Sequence, residues 1–304
     1  MAARNKIETV DEYGIWRPGC FTAKGIYFGG ATKRFFSQLD PHGNSCTPQR
    51  IRALMRENCG VIPYSSSDLK GFLREFTYKL RGDASAAHSY VKTELKHTSH
   101  SLILDERYFK LRTSDQCQKS KAKDALLTRL SGVAMIISAS DCTPVAIYDP
   151  VHHVAALVHS GRTGTAKRIA ARVIRLMEDN FNTSPADVVV SIGPSVSHSA
   201  YDFLTKTYRE FVIENHYTDN DLGRFRINRG NGSYGLDIPA AIRFQLEQIG
   251  VQPEKIYRSD LTTTENTDLF CSASAAPGNN PEERVANSGS NVYMLILEDP
   301  LTDL

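Results

Sequence analysis

Between Val133 and Ser160 the chain carries three closely spaced apolar runs, and nothing else in its 304 residues restricts the fold as much. VAMIIS (133–138) and PVAIYD (144–149) are separated by the polar tetrad Ala139-Ser140-Asp141-Cys142, and HVAALVHS (153–160) returns after the turn signal Asp149-Pro150. Short β-branched runs bounded by polar breaks read as strands, so 133–139, 144–149 and 153–159 are expected side by side in one sheet. Gly161-Arg162-Thr163-Gly164-Thr165 follows at once, then a segment whose Ile169, Val173, Ile174 and Met177 share one helical stripe opposite basic residues. A further strand at 188–193, helices over 200–212 and 238–249, and a closing strand at 292–297 complete an alternation that predicts an α/β fold, a layered α/β/α domain around a mixed β-sheet. Upstream the signals are weaker: a strand at 25–28 running into Gly29-Gly30, helices over 47–58 and 65–79, a short apolar run at 101–104, and a charged surface excursion over 105–123. No internal repeat interrupts the chain, and 1–304 is expected to form a single domain.

Charge and cysteine usage exclude several classes of function. Thirty-six basic and thirty-four acidic side chains leave a formal charge of +2, too balanced for a domain that embraces a nucleic-acid backbone. No apolar run approaches the roughly 20 residues of a membrane span, and the first residues lack the apolar core of a secretory signal, so a cytoplasmic protein without a membrane partner is expected. The six cysteines, Cys20, Cys46, Cys59, Cys117, Cys142 and Cys271, show no C-x-x-C spacing and imply neither a disulfide framework nor a zinc ribbon.

Chemistry concentrates at two strand ends. Cys142 follows the first run beside Asp141, and His159 ends the third, so one hairpin would bring thiol and imidazole together. Such a pair is either a nucleophile with its base or two ligands of a divalent metal. His97 and His100, just before the run 101–104, offer a third ligand, which would leave one position open as in catalytic zinc sites. Gly161–Thr165 would present backbone N–H groups at a helix start, a favourable place for an anion. His198 follows Gly193-Pro194 in a loop suited to line a pocket.

The segment DALLTRLSGVAMIISASDCTPVAIYDPVHHVAALVHSGRTGT (124–165) resembles the core of the laccase-domain family, first called multicopper polyphenol oxidoreductases. Ser140–Pro144 matches its "aDClP", Val158–Thr165 its "vHaGWrGt", and IGPSVSHSAYDF (192–203) its "iGPaIgpccYeV", with similarity running over 124–298 and a divergent part at 1–120. Its members include a peptidoglycan-editing factor and enzymes with purine nucleoside phosphorylase and adenosine deaminase activity. The resemblance implies zinc held by His97, Cys142 and His159, with His100 the fallback for the first, and Asp141 orienting a ligand or moving a proton. It also implies a nucleoside substrate for phosphorolysis, hydrolysis or deamination, held by Gly161, Arg162, Thr163, Tyr27, His198 and Tyr201. Where the family pattern carries arginines this chain has Tyr27, Thr163 and Ala273, which predicts weakened phosphate binding and an altered substrate pocket. The family's fold is similar to that of necrotising-factor toxins, which implies as an alternative a metal-free hydrolase or deamidase with Cys142 as nucleophile and His159 as base. A binding protein that keeps the scaffold without catalysis is the remaining alternative.

Overall fold

Each of the three apolar runs forms a strand buried on both faces. Val133–Ala139, Thr143–Asp149 and Val154–Ser160 are sealed from solvent at nearly every position. The computed structural model describes residues 8–21, 26–39, 47–57, 60–61, 67–81, 89–92, 94–110, 122–213, 215–230 and 232–298. Among these, the strands divide between two main sheets. The first runs in the order Thr9–Val10, Ile15–Arg17, Ile26–Ala31, Asn291–Leu297, Val133–Ala139, Ser89–Lys92 and Gly60–Val61. The second runs Ile256–Arg258, Val189–Ile192, Thr143–Asp149, Val154–Ser160, Ala125–Thr128 and Ser101–Ile103. Both are mixed: Ser89–Lys92 lies parallel to Val133–Ala139, and Val189–Ile192 parallel to Ile256–Arg258, within otherwise largely antiparallel pairing.

The layered α/β architecture is therefore present, with one correction. The strand 133–139 is not in the sheet of 144–149 and 153–159; the chain crosses from the first sheet to the second at Ser140–Cys142. Alternate residues explain the layers. Val133, Met135 and Ile137 of the first sheet meet Ala146, Tyr148, Ala155 and Leu157 of the second in a shared core. Ala134 and Ile136 face the opposite way, toward Phe35, Phe36, Phe72 and Phe76 of the helices Lys33–Leu39 and Ser67–Arg81. Val145, Ile147, Ala156 and Val158 face Ile169, Val173, Ile174 and Met177 of the helix Ile169–Phe181 and Ile242 and Leu246 of the helix Ile238–Gln248. The order of layers is helix, sheet, sheet, helix. A run buried on both faces does not record whether helix or sheet covers the second face, which is why the sequence pattern pointed to one sheet.

Trp16 seals the inter-sheet core edge-on against Phe28 and Tyr293, with ring centroids 5.7 and 6.3 Å away. Gly30 is required beside it, because a Cβ there would stand 2.6 Å from the Tyr293 ring. Upstream expectations hold in outline: Ile26–Ala31 is a strand, and Pro48–Glu57 and Ser67–Arg81 are helices. The expected helix over 200–212 is reduced to Thr205–Tyr208 continued by a π-turn over Arg209–Ile213. Residues 111–121 of the surface excursion lie outside the described residues, as do Cys46, Cys59 and Cys117.

Candidate active site

The crossing between sheets places Cys142 at their common end, and strand register brings the other groups to it. His159 pairs with Pro144 across the hairpin, and the His159 backbone N–H donates to the Asp124 carbonyl at 2.7 Å. His97 arrives from the loop before Ser101–Ile103, the strand beside Ala125–Thr128. One donor atom from each of His97, Cys142 and His159 lies within 4.8 Å of the others. His100, the fallback, is exposed and not part of this cluster.

Asp124 organises the site. Its side chain is fully buried, and its carboxylate accepts hydrogen bonds from His159 Nδ1 at 2.9 Å, from the N–H groups of Lys96, His97 and Thr98 at 3.3, 3.1 and 2.6 Å, and from Thr98 Oγ1 at 2.7 Å. Three successive N–H groups around one carboxylate hold the loop in a conformation that His97 would otherwise rarely adopt, with φ at +54°. The same carboxylate favours the His159 tautomer protonated at Nδ1, which leaves the Nε2 lone pair on the side of Cys142. Sequence reasoning passed over Asp124. Its signal lay in Asp124–Thr128, DALLT, which resembles the family's "aDalvT".

The electrostatics follow from this chain of contacts. Burial pushes the Asp124 carboxyl up, but the His159 and Thr98 hydrogen bonds outweigh it and hold it at about 2. Burial likewise opposes ionisation of Cys142; the charge and hydrogen bond of His159, with His97, bring the thiol down to about 6. Burial alone would lower His159, yet the Cys142 thiolate and Asp124 raise it to about 9. His97 is raised, chiefly by its hydrogen bond to Cys142.

The cluster fits a divalent metal. Bonds of about 2.05 Å to nitrogen and 2.3 Å to sulfur, meeting at a tetrahedral angle, set those ligand atoms about 3.6 Å apart, and His97 Nε2 and Cys142 Sγ are 3.6 Å apart. Two imidazoles and a thiol with a carboxylate behind one imidazole make a donor set that could hold such an ion. Gly161 is packed against it: a Cβ there would approach Cys142 Sγ to 2.7 Å and His97 Cδ2 to 2.9 Å.

The remaining expected residues separate into near and far. Arg162, in the short helix Arg162–Ala166, is ion-paired with Glu210 and stands close to the Tyr201 phenol, which burial raises against the opposing guanidinium charge. Thr163 lies in the first turn of that helix. Asp141 lines the cleft, but Thr263 Oγ1, Ser272 Oγ and Ser274 N–H, each at 2.7 Å, occupy both its oxygens and tie down the loops over 262–274. His198 lines a separate cavity of about 220 Å³ with Arg258 and Glu265. Tyr27 is not brought to the site: it pairs with Ile296, at the far end of its strand from Ala31, and packs among the helix-side core with Arg81 over its ring. The cleft at the cluster has a volume of about 560 Å³ and extends past Ser138 and Ser140 to Lys92, Val285 and Ser290, with Ala273 on its wall.

Residues 74–280 match the family described as Multi-copper polyphenol oxidoreductase laccase, more than half of the chain, and the chain belongs to that family. A purine nucleoside phosphorylase of Bacteroides thetaiotaomicron is 30% identical over 217 residues, covering 71% of this chain and 78% of that protein. The purine nucleoside phosphorylase YlmD of Bacillus subtilis is 28% identical over 155 residues, half of this chain and only 53% of the relative's length. Among solved structures, YlmD from Geobacillus stearothermophilus superposes with a TM-score of 0.72 at 20% identity, covering 97% of this chain and 100% of that one. The hypothetical protein YfiH of Bacillus licheniformis gives 0.72 at 19% identity, covering 96% and 99%. The structural likenesses establish the fold alone. No helix among the described residues is long and apolar enough to cross a membrane.

Proposed function

We propose that this protein is a zinc-dependent enzyme acting on a purine nucleoside, with phosphorolysis the reaction its relatives favour. The observation that carries this reading is the His97–Cys142–His159 cluster, with its 3.6 Å nitrogen-to-sulfur spacing and Asp124 behind His159. These three side chains would hold the ion and leave one position open to the cleft. Bound there, zinc would supply Lewis-acid activation near neutral pH. Asp124 keeps His159 in the ligating tautomer and His97 in its strained backbone conformation. Arg162 and Tyr201 contact the substrate from the side of the glycine loop. Asp141 acts as a positioning residue for the loops that close the cleft. In phosphorolysis a phosphate oxygen would form the bond to the sugar C1′ as the glycosidic C–N bond breaks, and the base would leave with the electron pair and take up a proton.

The test is metal analysis followed by assay. Purified protein is expected to contain about one zinc per chain and to release base from adenosine or inosine only when phosphate is supplied, with the sugar 1-phosphate as co-product. Base release without phosphate would identify hydrolysis, and conversion of adenosine to inosine would identify deamination. No turnover of any nucleoside by zinc-loaded protein would overturn the reading.

A second reading has its own support. Asp124, His159 and Cys142 lie in the order of an orienting carboxylate, a base and a nucleophile, and the thiol is depressed to about 6. It describes a metal-free cysteine hydrolase or deamidase. Protein that holds no metal after purification in its presence, and whose Cys142 reacts at once with iodoacetamide, would favour it.

A further inference from the structure

Gly161 packs directly on the Cys142 sulfur and the His97 ring, so the next side chain, Arg162, starts at the wall of the site. An arginine in that position would ordinarily bring a full positive charge to a bound ligand. Here Glu210 answers it: Arg162 Nη1 donates to Glu210 Oε2, and the two side chains are only 22% and 18% exposed. Lys206 Nζ approaches the other Glu210 oxygen at 4.0 Å, but its side chain is 74% exposed and water screens it. The backbone keeps acid and base together. Glu210 lies in the π-turn Arg209–Ile213, a rare form that wedges an extra residue into a helical turn. Asn215 Nδ2 donates to the Glu210 carbonyl at 3.1 Å and to the Ala166 carbonyl at 2.9 Å, tying that turn to the helix Arg162–Ala166. From the helix Ile238–Gln248, the buried Gln245 Nε2 donates to the Thr165 carbonyl at 2.9 Å and fixes the same short helix. Burial raises the Tyr201 phenol against the Arg162 guanidinium, and the Cys142 charge raises it further, so the phenol senses both the pair and the cluster.

We propose that Glu210 is a specificity-determining residue acting through Arg162: it cancels the guanidinium charge beside the cluster, and the site therefore selects an uncharged nucleoside over its 5′-phosphorylated form. The inference rests on the reading of the site as a nucleoside site and adds how that site discriminates. A carboxylate in the pocket wall repels a phosphate dianion. A nucleoside carries hydroxyls and ring nitrogens that the paired guanidinium and the Tyr201 phenol still hydrogen-bond.

The test titrates zinc-loaded protein calorimetrically with adenosine and with adenosine 5′-monophosphate, in folds checked by circular dichroism. The parent protein should bind the nucleoside more tightly. Glu210→Gln keeps the shape and an oxygen for Arg162 but loses the charge, and should shift the ratio of the two affinities toward the monophosphate about 10- to 100-fold. The double variant Arg162→Gln with Glu210→Gln has no charge to release and should lose that shift. Arg162→Gln alone leaves the carboxylate unpaired and should move the ratio the opposite way. General damage to the site would weaken both probes together and leave their ratio in place. A parent protein that binds both probes alike, a ratio unchanged in Glu210→Gln, or a shift that persists in the double variant overturns the proposal. If nucleosides are turned over and the ratio ignores Glu210, the specificity proposal fails and the enzyme reading stands. If the ratio shifts as expected but no nucleoside reacts, the enzyme reading fails and the role of Glu210 stands.

Discussion

At the scale of single residues, the site depends on one buried carboxylate and one absent side chain. Asp124 accepts five hydrogen bonds, one from the His159 ring and four from the loop that carries His97. Asp124→Asn keeps the shape but loses the charge that fixes His159. Zinc affinity, read by competition with a chromophoric chelator, should fall about 10- to 100-fold; an unchanged value would make Asp124 purely structural. Gly161→Ala adds a methyl where only 2.7 Å separates it from Cys142 Sγ. The expected result is loss of bound zinc with a melting temperature close to that of the parent, because the clash falls on the ligands and not on the core. Full zinc occupancy in that variant would show that the loop yields without cost.

Among the elements, the hairpin Thr143–Asp149 to Val154–Ser160 determines whether His159 meets Cys142, and its turn is pinned by Asp149. That carboxylate is fully buried, accepts from Val151 and His152 N–H at 2.8 and 3.1 Å, and faces His152 Nδ1 at 2.9 Å. Burial pushes its pKa up, but the hydrogen bonds it accepts prevail and hold it below the usual carboxylate range. A depressed folded-state pKa means that the unfolded chain binds the proton more tightly. The stabilisation is therefore present above the unfolded carboxylate pKa of about 4 and is lost as pH falls through the lower folded value. Asp149→Asn should cost about 1–3 kcal/mol in urea unfolding at neutral pH, and the gap from the parent should narrow below about pH 4. A gap that stays constant into acid would remove the charge from the explanation.

For the molecule as a whole, stability resides in two sheets pressed together, and the His97–Cys142–His159 cluster sits at the edge they share. Leu157 is fully buried between the sheets, two residues before His159. Leu157→Ala should lose about 2–5 kcal/mol through the cavity it leaves, and a loss under about 1 kcal/mol would mean that the layers close over the gap. Metal removal acts at the other level. Chelated protein should expose Cys142 to alkylation, and added zinc should protect it, as followed by intact mass. Equal labelling with and without zinc would place the metal elsewhere.

Much of this was legible in the chain. The three buried strands, the turn at Asp149-Pro150, the helix after Gly161 and the proximity of Cys142 to His159 follow from local pattern, since hairpin register is a short-range property. The family's first histidine motif, aligned with 101–105 as the strand after it, pointed to His97, although nothing local distinguishes it from His100. Only the tertiary structure decided that Val133–Ala139 belongs to a different sheet, because burial on both faces leaves the identity of the covering layer unwritten. It also decided that Tyr27 lies at the wrong end of its strand, that His198 opens into another cavity, and that Asp124 stands behind His159. These are consequences of pairing between strands distant along the chain, and no residue pattern within one strand encodes which partner lies across from it.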